Sequence, residues 1–301
     1  MRLQHIHTMI AIAETGSLRA AAKRLKRTQP ALTKSLRQME SELGVALFQR
    51  TPRGVVATET GHAILARVRS IAQEIQRLEQ EVDQRRGGNA GSVKICVSPL
   101  GAALVIPKAL MSFRRKYPLV DVHIIDALYP VSLPPLRDGQ IDLLIGPMPP
   151  SGIAREFHVE QLVVTETIVI TSKNSPFARA RSLTDLVDAQ WIMLGTAEGP
   201  GDVFEKSFRD HGLAPPVART KAESYFAAIG IVEISGALCT FPARLFKAIE
   251  HQRQLVRIPI RETISPFVIA MLSRAGVPLT PAAEEMANCI RRRASTILQE
   301  S

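Results

Sequence analysis

Between Gly16 and Glu40 lie seven cationic side chains, Arg19, Lys23, Arg24, Lys26, Arg27, Lys34 and Arg37, against a single acid, Glu40. Cations at that density suit a polyanion such as the phosphate backbone of nucleic acid. The neutral polar residues among them add a second capability. Gln29 has the geometry to read adenine bidentately, the Thr28 and Thr33 hydroxyls can bond base edges or phosphates, and Lys34 and Arg37 can serve either. A little further on, Arg50 and Arg53 flank Thr51-Pro52 and precede Gly54, which places two more cations around a turn. Bond-making chemistry has no comparable support. There is no G-x-S-x-G, no H-E-x-x-H and no phosphate-cradling loop, and "RGGNAGS" lacks the Lys-Ser/Thr ending. The seven histidines are dispersed, with His5 and His7 reading as helix-face residues, and Cys96, Cys239 and Cys289 show no C-x-x-C spacing. The expectation is no enzyme, no cofactor and no metal, with buried, inert thiols at Cys96 and Cys239.

The elements that must position those cations are legible. Leu3, Ile6, Ile10 and Ala13 recur at helical spacing. Gly16-Ser17 then ends one helix and caps the next, Leu18 to Leu25, which Ala20, Ala21 and Ala22 keep thin enough for a close crossing. After a short turn, Thr28 caps a third helix with Pro30 in its first turn. Leu32, Leu36, Met39 and Leu43 face its core, and Gly44 stops it. Gln29, Pro30, Thr33, Lys34 and Arg37 then leave the opposite face, as a major-groove helix requires. "FQRTPRGVVATETG" reads as a hairpin, a wing whose Arg50 and Arg53 approach the backbone or minor groove.

Charge follows the same division. Residues 1–60 carry ten Lys/Arg and four Asp/Glu, a net +6 of the chain's +10, whereas residues 92–301 carry 23 and 20. Between them, Thr58 to Arg86 contains no proline. Ile64, Val68, Ile71, Ile75, Leu78 and Val82 step by four, three, four, three and four, an a/d seam for a partner along a helix about 40 Å long. "RRGGNAGS" supplies a hinge. A dimer built on that seam presents two recognition helices to an operator of imperfect two-fold symmetry.

Beyond the hinge, "SVKICVS", "VDVHII" and "IDLLIGP" alternate with amphipathic stretches, and a similar pattern follows around "WIMLG" and "GALCTFP". This β-α order predicts an α/β unit of two parallel-sheet lobes joined by crossing strands, with "PFVIAMLSRA" and "TPAAEEMANCIRRRAS" returning to the first lobe. Small molecules bind such folds between the lobes, at strand C-termini. Ser98 and the N–H groups that follow it suit a carboxylate, a sulfonate or a sugar hydroxyl.

The phrases S-x-x-A-A, T-Q-P-A-L-T, E-L-G-x-x-L-F-x-R and T-x-x-G stand in order within "GSLRAAAKRLKRTQPALTKSLRQMESELGVALFQRTPRGVVATETG". This segment resembles the winged helix-turn-helix of LysR-type transcriptional regulators. Family members usually carry Ser where this chain has Thr28 and Thr33, and both replacements keep the hydroxyl. "FRRKYPLVDVHI" and "LRDGQIDLLIG" resemble the family's effector domain of periplasmic-binding-protein type, so the likeness covers nearly the whole chain. It implies three parts: a winged helix-turn-helix over 1–58, a linker and hinge over 59–91, and an effector domain over 92–301. Lobe I of that domain spans about 92–162 and 267–301, and lobe II about 163–266. It implies an inducer pocket at Ser98, Leu100, Gly101, Tyr129, Pro130, Val131, Gly146 and Pro147 in the first lobe. The second lobe contributes Thr196, Glu198, Gly199, Tyr225 and Phe267. It further implies antiparallel pairing of linker helices within a homodimer or homotetramer, an interrupted palindrome, and RNA polymerase as a further partner. The inducer class stays open among aromatic acids, sulfonates and sugars, with Glu198 opposing an anion unless it is paired. The start of the chain lacks a secretion signal, and no run is long enough to cross a membrane, so the expected location is the cytoplasm. A cytoplasmic solute-binding protein without regulatory DNA binding is the alternative, which the basic first fifth of the chain disfavours.

Overall fold

The computed structural model describes residues 2–52, 54–127, 131–149, 153–195 and 201–299. Its contacts divide the chain into two compact units, residues 1–86 with 138–140, and residues 87–137 with 141–301.

The first unit opens with α1 (Leu3–Thr15), α2 (Leu18–Arg24) and α3 (Gln29–Leu43). Each boundary has a local cause. Gly16 and Gly44 take left-handed φ at +63° and +70° and close α1 and α3. Ser17 Oγ accepts the Ala20 N–H, and Thr28 Oγ1 accepts the Ala31 N–H, capping α2 and α3. Lys26 alone among the described non-glycine residues has positive φ, +52°, where the chain reverses between α2 and α3. Met9, Ile12, Ala21, Leu32 and Met39 fill the centre, each large side chain contributing about 1.5–3 kcal/mol by leaving water. Strands β1 (Phe48–Thr51) and β2 (Gly54–Ala57) pair antiparallel as a hairpin, Phe48 opposite Ala57 and Thr51 opposite Gly54. Helix α4 (Glu59–Arg85) follows, capped by Thr58, whose Oγ1 accepts the Gly61 N–H at 2.9 Å.

Three details depart from the sequence reading. The buried face of α1 is His5, Ile6, Thr8, Met9, Ala11 and Ile12, with Ile10 and Ala13 only half-buried and Leu3 exposed. Helices α2, α3 and α4 all pack on α1, so its covered arc is broad enough to take in polar side chains: Thr8 donates to Gln4 O at 2.8 Å. Leu43 is exposed, because α3 outlasts the core it packs on. Val68 is buried against the N-terminal core together with Leu65, so the first turns of α4 belong to that core.

The second unit is built on one sheet. Its strands are β3 (Ser92–Val97), β4 (Asp121–Asp126), β5 (Leu143–Pro147), β6 (Phe157–Ser172), β7 (Trp191–Leu194), β8 (Thr220–Ala222), β9 (Leu238–Pro242), β10 (Leu255–Ile258) and β11 (Ile264–Arg274). The order is β4-β3-β5-β11-β6-β9-β7-β8, with β10 also on β6. In lobe I, β3 runs parallel to β4 and β5; in lobe II, β7 runs parallel to β8 and β9. Antiparallel β6 and β11 pass through both lobes.

Helices α5 (Pro99–Leu104), α6 (Ile106–Arg114), α7 (Leu133–Arg137) and the C-terminal α11 (Pro281–Gln299) belong to lobe I, where Phe113 and the Ala283, Met286, Ile290 face of α11 share one core. In lobe II, α8 (Asp202–Arg209) supplies Phe204 and Phe208 to the single tryptophan, Trp191, at ring-centroid distances of 5.0 and 5.4 Å. Two helices of this lobe, α9 (Tyr225–Ser235) and α10 (Ala243–Ile249), have no counterpart in the sequence reading. "YFAAIGIVEIS" is apolar nearly all round and so carries no clear 3.6-residue alternation.

Candidate nucleic-acid interface and interlobe cleft

The polar face of α3 is assembled by its start. Because Thr28 caps the helix and Pro30 occupies its first turn, Gln29 is the first helical residue and lies fully outside the trihelical core. Gln29, Pro30, Thr33, Lys34 and Arg37 together line one open concavity. All are exposed except half-buried Thr33, whose hydroxyl donates to Gln29 O at 3.0 Å. Behind them Leu32, Ser35, Leu36 and Met39 face inward, so a single helix divides cleanly into a packing side and an exposed polar side. Arg19 on α2 and Arg27 in the turn are exposed beside it, and Arg50 is exposed on β1. Arg24 differs from these cations because it pairs with Glu14 at 2.5 Å. Arg53 lies outside the described residues.

Three residues that the sequence reading did not single out hold this arrangement. Glu40 Oε1 accepts the N–H groups of Leu47 (2.8 Å) and Phe48 (3.2 Å) at the root of the hairpin. Leu47 O accepts the Thr58 N–H at 3.0 Å, and Thr58 Oγ1 donates to Ala46 O at 2.8 Å. Gly61 lies so close to this knot that a Cβ there would come 2.0 Å from Leu47 O. The signals were present: Glu40 is the one acid of the basic stretch, and Thr58 and Gly61 end the T-x-x-G phrase.

Along α4 the expected seam splits. Val68 is buried in the N-terminal core and Ile64 is half-buried against it. Ile71, Leu78 and Val82 are exposed, with Ile75 half-buried between them.

In the second unit the register locates a cleft. Pro147, ending β5, pairs with Ile269, which pairs with Val163; Pro242, ending β9, pairs with Thr167. The strand C-termini of the two lobes therefore face each other across only a few residues of β6 and β11, with Thr165 opposite Phe267 between them. Arg244, in the first turn of α10, donates its N–H to Thr165 Oγ1 at 3.3 Å. Ser98 is buried at the end of β3 and caps α5 by accepting the Gly101 N–H at 3.4 Å. Gly146 is buried near Ser98, Pro147 is half-buried, and Val131 is exposed.

Other expected pocket residues are packing residues. Leu100 is in the large core shared by the two lobes, and Gly101 fits so tightly that a Cβ would meet Ile145 at 2.8 Å and Val97 at 3.0 Å. Tyr225 and Phe267 are buried in the same core, Tyr225 edge-on to Phe241 at 5.5 Å. Burial raises the Tyr225 hydroxyl far above the ordinary phenol value, with Cys239 and Asp126 adding to the effect. Tyr129, Pro130, Thr196, Glu198 and Gly199 lie outside the described residues. Among the described residues no cluster of His, Cys, Asp and Glu could hold a metal, and no helix is long and apolar enough to cross a membrane.

A winged helix-turn-helix with an exposed basic face, followed by a two-lobed α/β unit of periplasmic-binding-protein type, defines a DNA-binding transcriptional regulator with a substrate-binding domain. Residues 3–62 match the family model of the bacterial regulatory helix-turn-helix protein, lysR family, and residues 86–295 match that of the LysR substrate binding domain. The chain belongs to the LysR family. It is 23% identical over 290 residues to the HTH-type transcriptional regulator GalR of Pseudomonas putida, covering 96% of this chain and 73% of that one. Over 306 residues it is 26% identical to GbpR of Azospirillum brasilense, covering 100% and 89%. Among solved structures, the LysR family regulator CbnR matches with a TM-score of 0.72 at 21% identity, covering 98% and 99%. Full-length CbnR complexed with its target DNA matches equally well, at 22% identity over 97% and 100%.

Proposed function

We propose that this regulator reads an interrupted palindrome through paired α3 helices, and that a small molecule between its lobes shifts its affinity or geometry on that operator. The observation that carries the reading is the exposed concavity of Gln29, Pro30, Thr33, Lys34 and Arg37 on the first turns of α3. An α-helix fits the major groove, where its N-terminal residues reach base edges. Gln29 reads a base, with Lys34 and Arg37 on bases or phosphates. Arg19, Arg27, Thr28 and Arg50 hold the backbone, and Arg53 joins them from the wing. Two such heads are brought together in a homodimer, or a homotetramer, through Ile71, Ile75, Leu78 and Val82. RNA polymerase is the downstream partner, and the protein works in the cytoplasm without catalysis. The inducer, an aromatic acid, a sulfonate or a sugar, is bound through Ser98, Tyr129, Pro130, Val131, Gly146 and Pro147 of one lobe and Thr196, Glu198 and Gly199 of the other.

Fluorescence anisotropy on promoter fragments tests the core of this reading. Affinity falls steeply with salt, because each neutralised phosphate releases counterions. Gln29→Ala costs about 1–3 kcal/mol on the preferred sequence and relaxes the preference at one base position. Unaltered affinity and preference in that variant would refute the assignment of α3 as the reading helix.

A further inference from the structure

We infer that Glu40, the lone acid in the basic stretch, is a positioning residue that aims the wing at the DNA backbone. A two-stranded hairpin is marginally stable alone, so β1 and β2 must take their orientation from what they touch. Besides the Thr58 bonds that close its root, the hairpin is tethered to the helices at two places. Val55 N–H donates to Gly16 O at 2.8 Å, which fixes β2 to the junction of α1 and α2. At the root, the Glu40 carboxylate takes both the Leu47 and the Phe48 N–H, a charge-assisted pair of bonds from the recognition helix itself. Leu47 and Phe48 are buried behind it. With both tethers in place, the hairpin carrying Arg50 has one orientation relative to α3. With Glu40 removed, it pivots about the Gly16 contact, and its cations no longer meet the phosphates at a fixed distance.

This rests on the reading above, that the wing cations contact phosphate, and the experiment separates the two ideas. The full-length protein and its Glu40→Ala, Glu40→Gln and Arg50→Ala variants are titrated with a short mixed-sequence duplex across a salt series. Each phosphate contact contributes about 0.9 to the slope of log K against log salt. Arg50→Ala lowers the slope by about 0.9. Glu40→Ala lowers it by about 0.9–1.8 with both wing arginines intact, whereas Glu40→Gln, whose carbonyl oxygen still accepts both N–H groups, keeps the parent slope. Loss of folded protein alone cannot imitate this result, because it scales the amount bound and leaves the slope unchanged. Amide exchange supplies a direct check: Leu47 and Phe48 exchange faster in Glu40→Ala and at the parent rate in Glu40→Gln. The inference is overturned if Glu40→Ala keeps the parent slope while Arg50→Ala lowers it, or if Glu40→Gln behaves like Glu40→Ala. An unchanged slope in Arg50→Ala removes the wing contact itself, and the inference falls with it.

Discussion

Gly61 is the position where the smallest possible side chain should do the most harm. A methyl group there would stand 2.0 Å from Leu47 O, 3.0 Å from Leu47 C and 3.2 Å from Thr58 Oγ1. The first of these is a backbone atom, so helix and hairpin root must separate by about 1 Å to reach a tolerable contact. That movement breaks the Thr58 N–H to Leu47 O bond, which costs about 1 kcal/mol. It also strains the Thr58 cap, worth about 1 kcal/mol, and adds roughly 1–3 kcal/mol of overpacking. Replacing a helical glycine by alanine returns about 1 kcal/mol. The net prediction for Gly61→Ala is a loss of about 2–4 kcal/mol, or roughly 10–20 °C in the melting of a unit this size. The two-unit chain need not melt as one, and this allows a clean assay. Trp191 reports only on the second unit, whereas far-ultraviolet circular dichroism sees both. Gly61→Ala should lower the first dichroism transition and leave the tryptophan transition in place. A variant as stable as the parent, or more so, would refute the close approach on which the estimate rests.

If the proposed homodimer forms through the exposed α4 seam, Leu78→Glu should dissociate it. Two leucines leaving an apolar interface weaken it by about 3–6 kcal/mol, so sedimentation at micromolar concentration should show monomer; an intact dimer would move the interface elsewhere. Burial pushes the Cys239 thiol up to about 12 and the Cys96 thiol up to about 11, so neither should react with a disulfide reagent at pH 8 until the protein is denatured. Because an unfolded thiol ionises near 8.5, the stability these two residues lend is complete below about pH 8.5 and declines as pH rises toward their folded values. Rapid labelling of the native protein would contradict their burial. A sugar, aromatic acid or sulfonate that fills the cleft at a hundred times its Kd should stabilise the second unit by about 2.7 kcal/mol, read as a later Trp191 transition; a shift confined to the first unit would place the ligand outside the cleft.

What the sequence made legible depended on local causes. Ser17, Thr28, Gly16 and Gly44 act within a few residues of themselves, and each ends or starts its helix as its chemistry requires. The β-α alternation of both lobes was readable for the same reason. Features set by distant parts of the chain were not. The face that α1 buries follows from three other helices packing on it, and no periodicity in thirteen residues could reveal that. Val68 continues a flawless heptad step, yet the nearby trihelical core claims it first. Leu100, Tyr225 and Phe267 lie at the expected positions in the chain, but their bulk is spent on packing. Where the cleft opens along the crossing strands emerges only from register: Pro147 pairs with β11 and Pro242 with β6, and those two strands pair with each other, a fact carried by no single segment.

Those two strands also limit how the lobes can move. A hydrogen-bonded pair resists sliding and stretching, since either would break bonds along its whole length, but it bends and twists at small cost. With Thr165 and Phe267 at the narrow middle, lobe I and lobe II are coupled like plates on a leaf spring. Whatever fills the gap can therefore change an angle far more readily than a distance.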